Sequence, residues 1–341
     1  MRALPRLLSL AVLALAAGVL PARAQSYHVT ATYKLGGDGG WDYIALDTAG
    51  HRLFIARQDR IMVVAEATGA LLGEIPGLSR AHGVAFAYAA GHGFATSGAD
   101  SAVTMFDLGT LAVLGKTTAA VDDDAVLFDP ATGHIFTMNG DAGSSSVLDA
   151  TTGQRIGNVD LGGKPEFGVT AGDGKLYVNI EDKSEVVEVD AGAMRVVRRW
   201  SIAPCQSPSG LAIDRAHHRL FSVCRNALMG VSDAAAGRLV TTVPIGRGVD
   251  AARFDPGTQL AFASNGDGTL TVIHEDAPDK YTVVGNAATK QGARTMEIDL
   301  ASHRVFTVSA DFGPAPAPTP DRPRQRPPVI PGSFALMVLE P

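Results

Sequence analysis

The sequence is poor in cysteine, in charge and in long apolar runs, and each shortage excludes a class of protein. Its 341 residues include only Cys205 and Cys224, and neither lies in a C-x-x-C-H pattern, which argues against covalently attached haem. Charged residues make up 19% and hydrophobic residues 46%, a balance typical of a folded globular chain rather than a disordered one. After residue 24 no apolar run approaches about 18 residues, so no membrane span is expected.

Several catalytic and nucleotide-binding motifs are also missing. There is no G-x-S-x-G nucleophile elbow, no G-x-G-x-x-G on a βαβ unit and no Walker loop. The formal net charge is −6, so nucleic acid is not an expected partner for the chain as a whole. These absences leave binding proteins and metal-dependent enzymes as the open classes.

The first 24 residues have the pattern of a secretory signal peptide. A basic start is followed by the apolar run LLSLAVLALAAGVL and by Ala22-Arg23-Ala24, an A-x-A cleavage signal. Residues 1–24 are therefore predicted to be removed, leaving 25–341 as a secreted or periplasmic protein. In such an oxidising compartment an isolated Cys205 and Cys224 favour a disulfide over free or metal-bound thiols.

One pattern recurs seven times along residues 25–341: an apolar strand, a short polar turn and a second apolar strand. The turn begins at an anchor residue, and successive anchors are 40 to 44 residues apart: Asp47, Ala87, Asp129, Ala171, Asp214, Asp255 and Asp299. A third and usually a fourth strand follow each pair, and four strands in about 40 residues are typical of a β-propeller blade. We therefore predict an all-β fold, a seven-bladed β-propeller with four-stranded antiparallel blades.

The two ends of the chain predict how the ring closes. The last repeat has only one further strand, SFALMVLE (333–340), while YHVTATYKL (27–35) precedes the first repeat. The N-terminal strand can therefore close the last blade as its outermost strand and leave no long open edge. The remaining segment, 313–332, is a Pro-rich insertion in blade seven that carries Arg322, Arg324 and Arg326; it is either a tolerated surface loop or a cover that brings guanidinium groups over the channel mouth.

The chain resembles the exported YncE-like, YVTN-type β-propeller repeat proteins. The resemblance rests on KLYVNIEDKSEVVEVD (175–190), RLFSVCRN (219–226), GVDAARFDP (248–256) and the closing PGSFALMVL (331–339). It departs from the repeat pattern at Ala87 and Ala171, where an Asp is usual. The resemblance implies a seven-bladed propeller, export, and no generally established catalytic activity.

A polar residue stands five positions before every anchor, where the innermost strand of each blade starts at the channel mouth. This ring consists of Asp42, His82, Asp124, Glu166, Ser209, Asp250 and Arg294. The loops between second and third strands reach the same face and add a second polar layer, which includes Arg57, Asn139, Glu181, Arg225 and Asn265. We predict that these residues form a ligand-binding mouth.

Three interpretations of the ring remain open at the level of sequence. Carboxylates with an imidazole suit a divalent metal, whose ligands would be Asp42, His82, Asp124, Glu166 and Asp250. The same charges could instead form a salt-bridged, hydrated mouth, or bind another small ligand. The sequence establishes no cofactor, and a divalent metal is the one candidate.

The expected function follows from the same alternatives. We expect an exported, non-catalytic propeller, monomeric, whose mouth binds a small ligand, a metal ion or a periplasmic partner protein. The alternative is a metal-dependent hydrolase of lactone or ester type that uses the acidic ring. An accessory subunit of a periplasmic redox enzyme is a third hypothesis, and the fold alone does not choose among the three.

Overall fold

Each of the seven sequence repeats forms one four-stranded antiparallel sheet. The computed structural model describes residues 26–317, 319, 325 and 327–341, so the predicted signal peptide and Arg322, Arg324 and Arg326 lie outside the described residues. Two short 3-10 turns, Tyr88–Ala90 and Glu181–Lys183, accompany the strands. The predicted all-β, seven-bladed propeller is confirmed.

The strands are as follows, from the innermost to the outermost strand of each blade: blade one, β2 (Ile44–Asp47), β3 (Arg52–Arg57), β4 (Arg60–Ala65) and β5 (Leu71–Pro76); blade two, β6 (Ala81–Ala87), β7 (His92–Ser97), β8 (Ala102–Asp107) and β9 (Val113–Thr118); blade three, β10 (Asp123–Asp129), β11 (His134–Asn139), β12 (Ser144–Asp149) and β13 (Arg155–Asp160); blade four, β14 (Pro165–Thr170), β15 (Lys175–Ile180), β16 (Glu185–Asp190) and β17 (Arg195–Ser201); blade five, β18 (Pro208–Asp214), β19 (Arg219–Cys224), β20 (Leu228–Asp233) and β21 (Arg238–Pro244); blade six, β22 (Val249–Asp255), β23 (Leu260–Asn265), β24 (Thr269–Ala277) and β25 (Lys280–Ala288); blade seven, β26 (Met296–Asp299), β27 (Arg304–Ser309), β28 (Ala335–Glu340) and β1 (His28–Lys34).

The N-terminal strand closes the ring as predicted. β1 pairs antiparallel with β28, with Thr32 opposite Met337 and Tyr33 opposite Leu336. Blade seven therefore takes strands from both ends of the chain, and its β26 contacts β2 of blade one. The outermost edge that β28 would otherwise expose is covered.

The core lies between neighbouring blades, where apolar side chains from facing sheets pack together. An aromatic residue occupies the same place on the second strand of every blade, and each is buried: Phe54, Phe94, Phe136, Tyr177, Phe221, Phe262 and Phe306. Full burial of one such ring contributes about 1.5–3 kcal/mol. This layer fixes how the blades stack and hence where the innermost strands begin.

The anchor residues terminate the first strand of each blade by capping its turn. Asp47 accepts a hydrogen bond from the backbone N–H of Gly50 at 3.0 Å, and Asp129 accepts one from Thr132 at 3.1 Å. At Ala87, where no carboxylate is present, the 3-10 turn Tyr88–Ala90 takes over. The five Asp anchors are turn-capping residues.

The predicted disulfide can be checked against the same framework, which also shows how one hairpin is held. Cys205 and Cys224 form a disulfide, with their Cα atoms 5.7 Å apart. The segment 265–269 is a tight hairpin between β23 and β24, in which the side chain of Asp267 accepts from the backbone N–H of Arg247 at 2.7 Å. Across the described residues, no helix has the length and apolarity that crossing a membrane would require.

Candidate functional site

A β-bulge places the ring residue in five of the seven blades. The pairing of the innermost strand with its neighbour shifts register at the positions that contain His82, Asp124, Glu166, Ser209 and Asp250. A bulge bends the strand and redirects a side chain that would otherwise continue the regular alternation. In blades one and seven, the ring residues Asp42 and Arg294 come just before the innermost strands β2 and β26.

Six of the seven predicted ring residues line one cavity of about 700 Å³ at the channel mouth: Asp42, His82, Asp124, Glu166, Asp250 and Arg294. The seventh, Ser209, does not line it. Its side chain is buried and its hydroxyl donates to the carbonyl oxygen of Val249 at 3.3 Å, which ties blade five to blade six. The predicted ring therefore contributes six charged or titratable groups to the mouth cavity, each from a different blade.

His82 lies between two carboxylates. Its Nδ1 is 2.5 Å from Oδ2 of Asp42 and 3.1 Å from Oδ1 of Asp124. Burial alone lowers the pKa of His82, but the hydrogen bond with Asp42 and the charge of Asp124 outweigh it and raise that pKa to about 9. The imidazole is therefore protonated at neutral pH, and its buried Nε2 has no hydrogen-bond partner among the described residues.

Two further carboxyl groups share the cavity but have different surroundings. Burial raises the pKa of Asp250 to about 6, while Arg294 opposes this shift through an ion pair of 2.7 Å. Burial, followed by the charges of Glu181 and Asp250, raises the pKa of Glu166 to about 7. Within the part of the chain that the structure describes, the Glu166 carboxylate forms no hydrogen bond or ion pair, so it is the group in this cavity that lacks a counter-ion.

A rim of basic side chains lies at the cavity, and two of its members, Arg80 and Lys164, were not predicted from the sequence. Arg80, Lys164 and Arg225 line the cavity. Arg80 forms an ion pair with Asp122 at 3.0 Å, and Lys164 forms one with Glu181 at 3.0 Å. Arg80, Asp122 and Lys164 each stand two residues before a ring position. These residues lie just before β6, β10 and β14, so their constant spacing from the ring was the available signal.

Three residues of the predicted second layer lie away from the cavity and bond to the scaffold. Arg57 is fully buried and donates to the backbone carbonyl groups of residues 36–40. Asn139 donates to the hydroxyls of Ser144 and Ser146, and Asn265 donates to the hydroxyls of Thr269 and Thr271. Loops and hairpins cover these three side chains, so their polar groups form hydrogen bonds with the scaffold rather than with a ligand.

The other two members of that layer belong to the rim. Glu181 accepts ion pairs from Lys164 at 3.0 Å and from Arg225 at 2.8 Å, and the Arg225 side chain is 67% exposed. Arg225 lines the cavity, whereas Glu181 acts behind it by holding both cations. The rim is thus basic while the ring beneath it is mostly acidic.

Two aromatic residues next to Asp42 complete the wall. Trp41 lines the cavity and packs on Phe312 and Phe334, with ring centroids 6.0 and 5.3 Å apart. Tyr43 lies against Phe167 at 5.1 Å and lines both the mouth cavity and a second, more apolar cavity of about 370 Å³. Tyr43 therefore lies between the two cavities of the channel.

Of the five predicted metal ligands, the structure brings three within mutual reach. One potential ligand atom each from Asp42, His82 and Asp124 lies within 4.8 Å of the others. An imidazole nitrogen with two carboxylate oxygens is a donor set that suits Zn²⁺ or Mn²⁺. Glu166 and Asp250 line the same cavity but stand outside this group, and a cation bound there would take the place of the proton that His82 now shares.

No protein-family model matches the chain, and no curated protein sequence matches it either.

Proposed function

We propose that this chain is an exported, non-catalytic propeller of the YncE-like type whose mouth cavity binds a small ligand bearing a cationic group. The family assignment rests on the repeat segments quoted above, and export rests on the pattern of residues 1–24. A disulfide between Cys205 and Cys224 is in keeping with an oxidising compartment. Ligand binding at the mouth rests on the cavity itself.

One observation carries the choice of ligand class: Glu166 lines the cavity without a partner while its neighbours are paired. A half-buried carboxylate without a partner gains from a cation that arrives with the ligand, since the pair then offsets the cost of its partial burial. The basic rim of Arg80, Lys164 and Arg225 would hold an anionic group of the same molecule. A compact molecule with an ammonium and a carboxylate, such as an amino acid, fits both layers.

The test is isothermal titration calorimetry of the protein without residues 1–24 against lysine, ornithine and putrescine. We expect a dissociation constant below about 1 mM for at least one of these amines. Glu166→Gln should weaken it at least about tenfold, which corresponds to about 1.4 kcal/mol, since the substitution removes the charge and keeps the shape. Glu74→Gln, on an outer strand, is the matched control and should change nothing. Absence of binding for all three amines, or equal binding by Glu166→Gln, would refute the proposal.

The second candidate is a metal-dependent lactonase or esterase, and the Asp42, His82 and Asp124 cluster favours it. A divalent cation held by these three residues would polarise a lactone or ester carbonyl. The unpaired Glu166, which lines the same cavity, would then be available to accept a proton from water.

Metal analysis separates the two candidates. If the chain is a hydrolase, the protein expressed in metal-replete medium should contain one divalent metal ion at the mouth cluster. The His82→Asn variant should lose that ion. The hydrolase also requires metal-dependent hydrolysis of a γ-lactone or a p-nitrophenyl ester. The hydrolase would be excluded if the protein is purified without metal and shows no His82-dependent rise in melting temperature with Zn²⁺, Mn²⁺ or Ca²⁺. That result would leave the proposed amine binding unaffected.

A further inference from the structure

A second group of metal-ligating side chains lies between blades five and six, apart from the mouth cavity. It consists of Asp214 at the end of β18, His217 in the turn that follows, and Glu275 on β24. One potential ligand atom of each lies within 4.8 Å of the other two. His217 Nδ1 is 2.6 Å from Oδ2 of Asp214 and 3.7 Å from Oε1 of Glu275.

Glu275 is the member that points to a missing ligand. The residue is 4% exposed, and its Oε1 accepts a hydrogen bond from the hydroxyl of Tyr281 at 3.2 Å. Its Oε2 is buried and has no hydrogen-bond partner among the described residues. A buried carboxylate oxygen without a partner costs several kcal/mol in principle, so a cation at this position would remove a real penalty.

The equivalent junction between blades seven and one shows how a comparable carboxylate is satisfied. Glu66, which is buried at the corresponding place in blade one, accepts from Arg304 through Oε1 and lies 3.3 Å from His51 through Oε2. Both of its oxygens are therefore paired, and an arginine of the preceding blade supplies the charge. The Glu66 junction needs no metal.

At the Glu275 junction the corresponding arginine is engaged elsewhere. Arg219, which stands where Arg304 does in blade seven, donates to the carbonyl oxygen of Pro278 and pairs with Asp233 at 3.2 Å. Two buried carboxylates, Asp214 and Glu275, are thus left with a single imidazole that is 40% exposed. Burial and the nearby Asp214 raise the pKa of Glu275, as expected where negative charge is in excess.

We propose that Asp214, His217 and Glu275 bind a zinc-like divalent cation that links blade five to blade six. One imidazole nitrogen and two carboxylate oxygens are three suitable ligands for such an ion, with water as the fourth. The ion would take the place of the proton between His217 and Asp214, and Tyr281 would orient Glu275 from behind. The exposed side of His217 gives the ion a path from solvent.

The test is a Zn²⁺ titration of chelator-treated protein that carries His82→Asn, so that the mouth cluster cannot contribute. We expect about one Zn²⁺ per chain and a higher melting temperature with Zn²⁺. Adding His217→Asn should weaken binding at least about tenfold and abolish the thermal shift.

The matched control is His303→Asn in the same background. His303 is a turn histidine that also contacts a buried anchor, Asp255, at 2.7 Å, but it belongs to no such group of three in the described part of the chain. Zn²⁺ binding should survive this substitution. Glu275→Gln, which keeps the volume of the side chain, serves as a second variant should His217→Asn fold poorly. No Zn²⁺ binding in the His82→Asn protein, or binding that His217→Asn and Glu275→Gln leave unchanged, would overturn the proposal.

Discussion

Replacing Arg57 by methionine should destabilise the protein by about 3 kcal/mol, although the residue touches no ligand. Its guanidinium donates four hydrogen bonds of 2.9 to 3.2 Å and one of 3.4 Å to the backbone carbonyls of residues 36–40, and it lies 3.7 Å above the ring of Phe334. We take about 1.5 kcal/mol for each charge-assisted hydrogen bond, the low end of the usual range, because the loop carbonyls can turn to water when the guanidinium is removed. Four such bonds then contribute about 6 kcal/mol.

Part of that gain is offset by the cost of burying a charge. Burial lowers the pKa of Arg57 from 12.5 to about 10, which corresponds to about 3.4 kcal/mol against the charged form. The difference leaves about 3 kcal/mol, and the loop that joins the closing strand β1 to blade one should lose its order.

Urea unfolding followed by far-ultraviolet circular dichroism measures this effect. Arg57→Met should lower the midpoint with little change in slope, while Arg238→Met, at an exposed position on an outer strand, should leave the midpoint where it is. A loss below about 1 kcal/mol for Arg57→Met would mean that water replaces the guanidinium without cost, and would refute the reasoning.

Three further outcomes are expected. The double variant Cys205→Ser/Cys224→Ser should lose about 3 kcal/mol in urea unfolding, because the disulfide closes a loop with a sequence separation of 19 residues; an unchanged midpoint would contradict the entropic account. Asp123 is fully buried, and burial raises its pKa from 3.8 to about 7. Its contribution to the free energy of unfolding is therefore most favourable below pH 3.8 and is lost as the pH rises through 7. Asp123→Asn should therefore stabilise the protein at pH 8, by at most about 4 kcal/mol, and not at pH 4, in EDTA; a gain independent of pH would exclude a role for the charge. Deletion of β1 should expose β28 and cause association in gel filtration, whereas a stable monomer would show that the edge needs no cover.

The fold was readable from the sequence because its signal repeats. Seven anchors at nearly equal spacing predict both the number of blades and the position of each turn, and Asp47 and Asp129 cap their turns as that pattern requires. The closing role of β1 followed from counting strands at the two ends. At Ala87 a 3-10 turn replaces the side-chain cap, and no single residue in the sequence predicts that turn.

The site was only partly readable. The ring positions came from equal spacing, but the bulges that turn His82 and Asp124 into the channel depend on strand pairing, which spacing does not encode. Arg57 and Ser209 have the same polar character as true cavity residues, yet backbone carbonyls take up their donors. Polarity at a repeated position therefore indicates the correct face of the molecule without separating ligand contacts from scaffold contacts.

The composition of blade seven has a consequence for how the molecule is made. Thr30 of β1 donates to the carbonyl oxygen of Val338 on β28, a partner 308 residues further along the chain. Blades one to six can each assemble from a continuous stretch as it becomes available, but the seventh has to wait for the final strand. A polypeptide that stops before Ala335 leaves β1 and β27 without the strand that lies between them. Incomplete synthesis products would then be marked by an unclosed ring, and proteases could distinguish them from the finished protein.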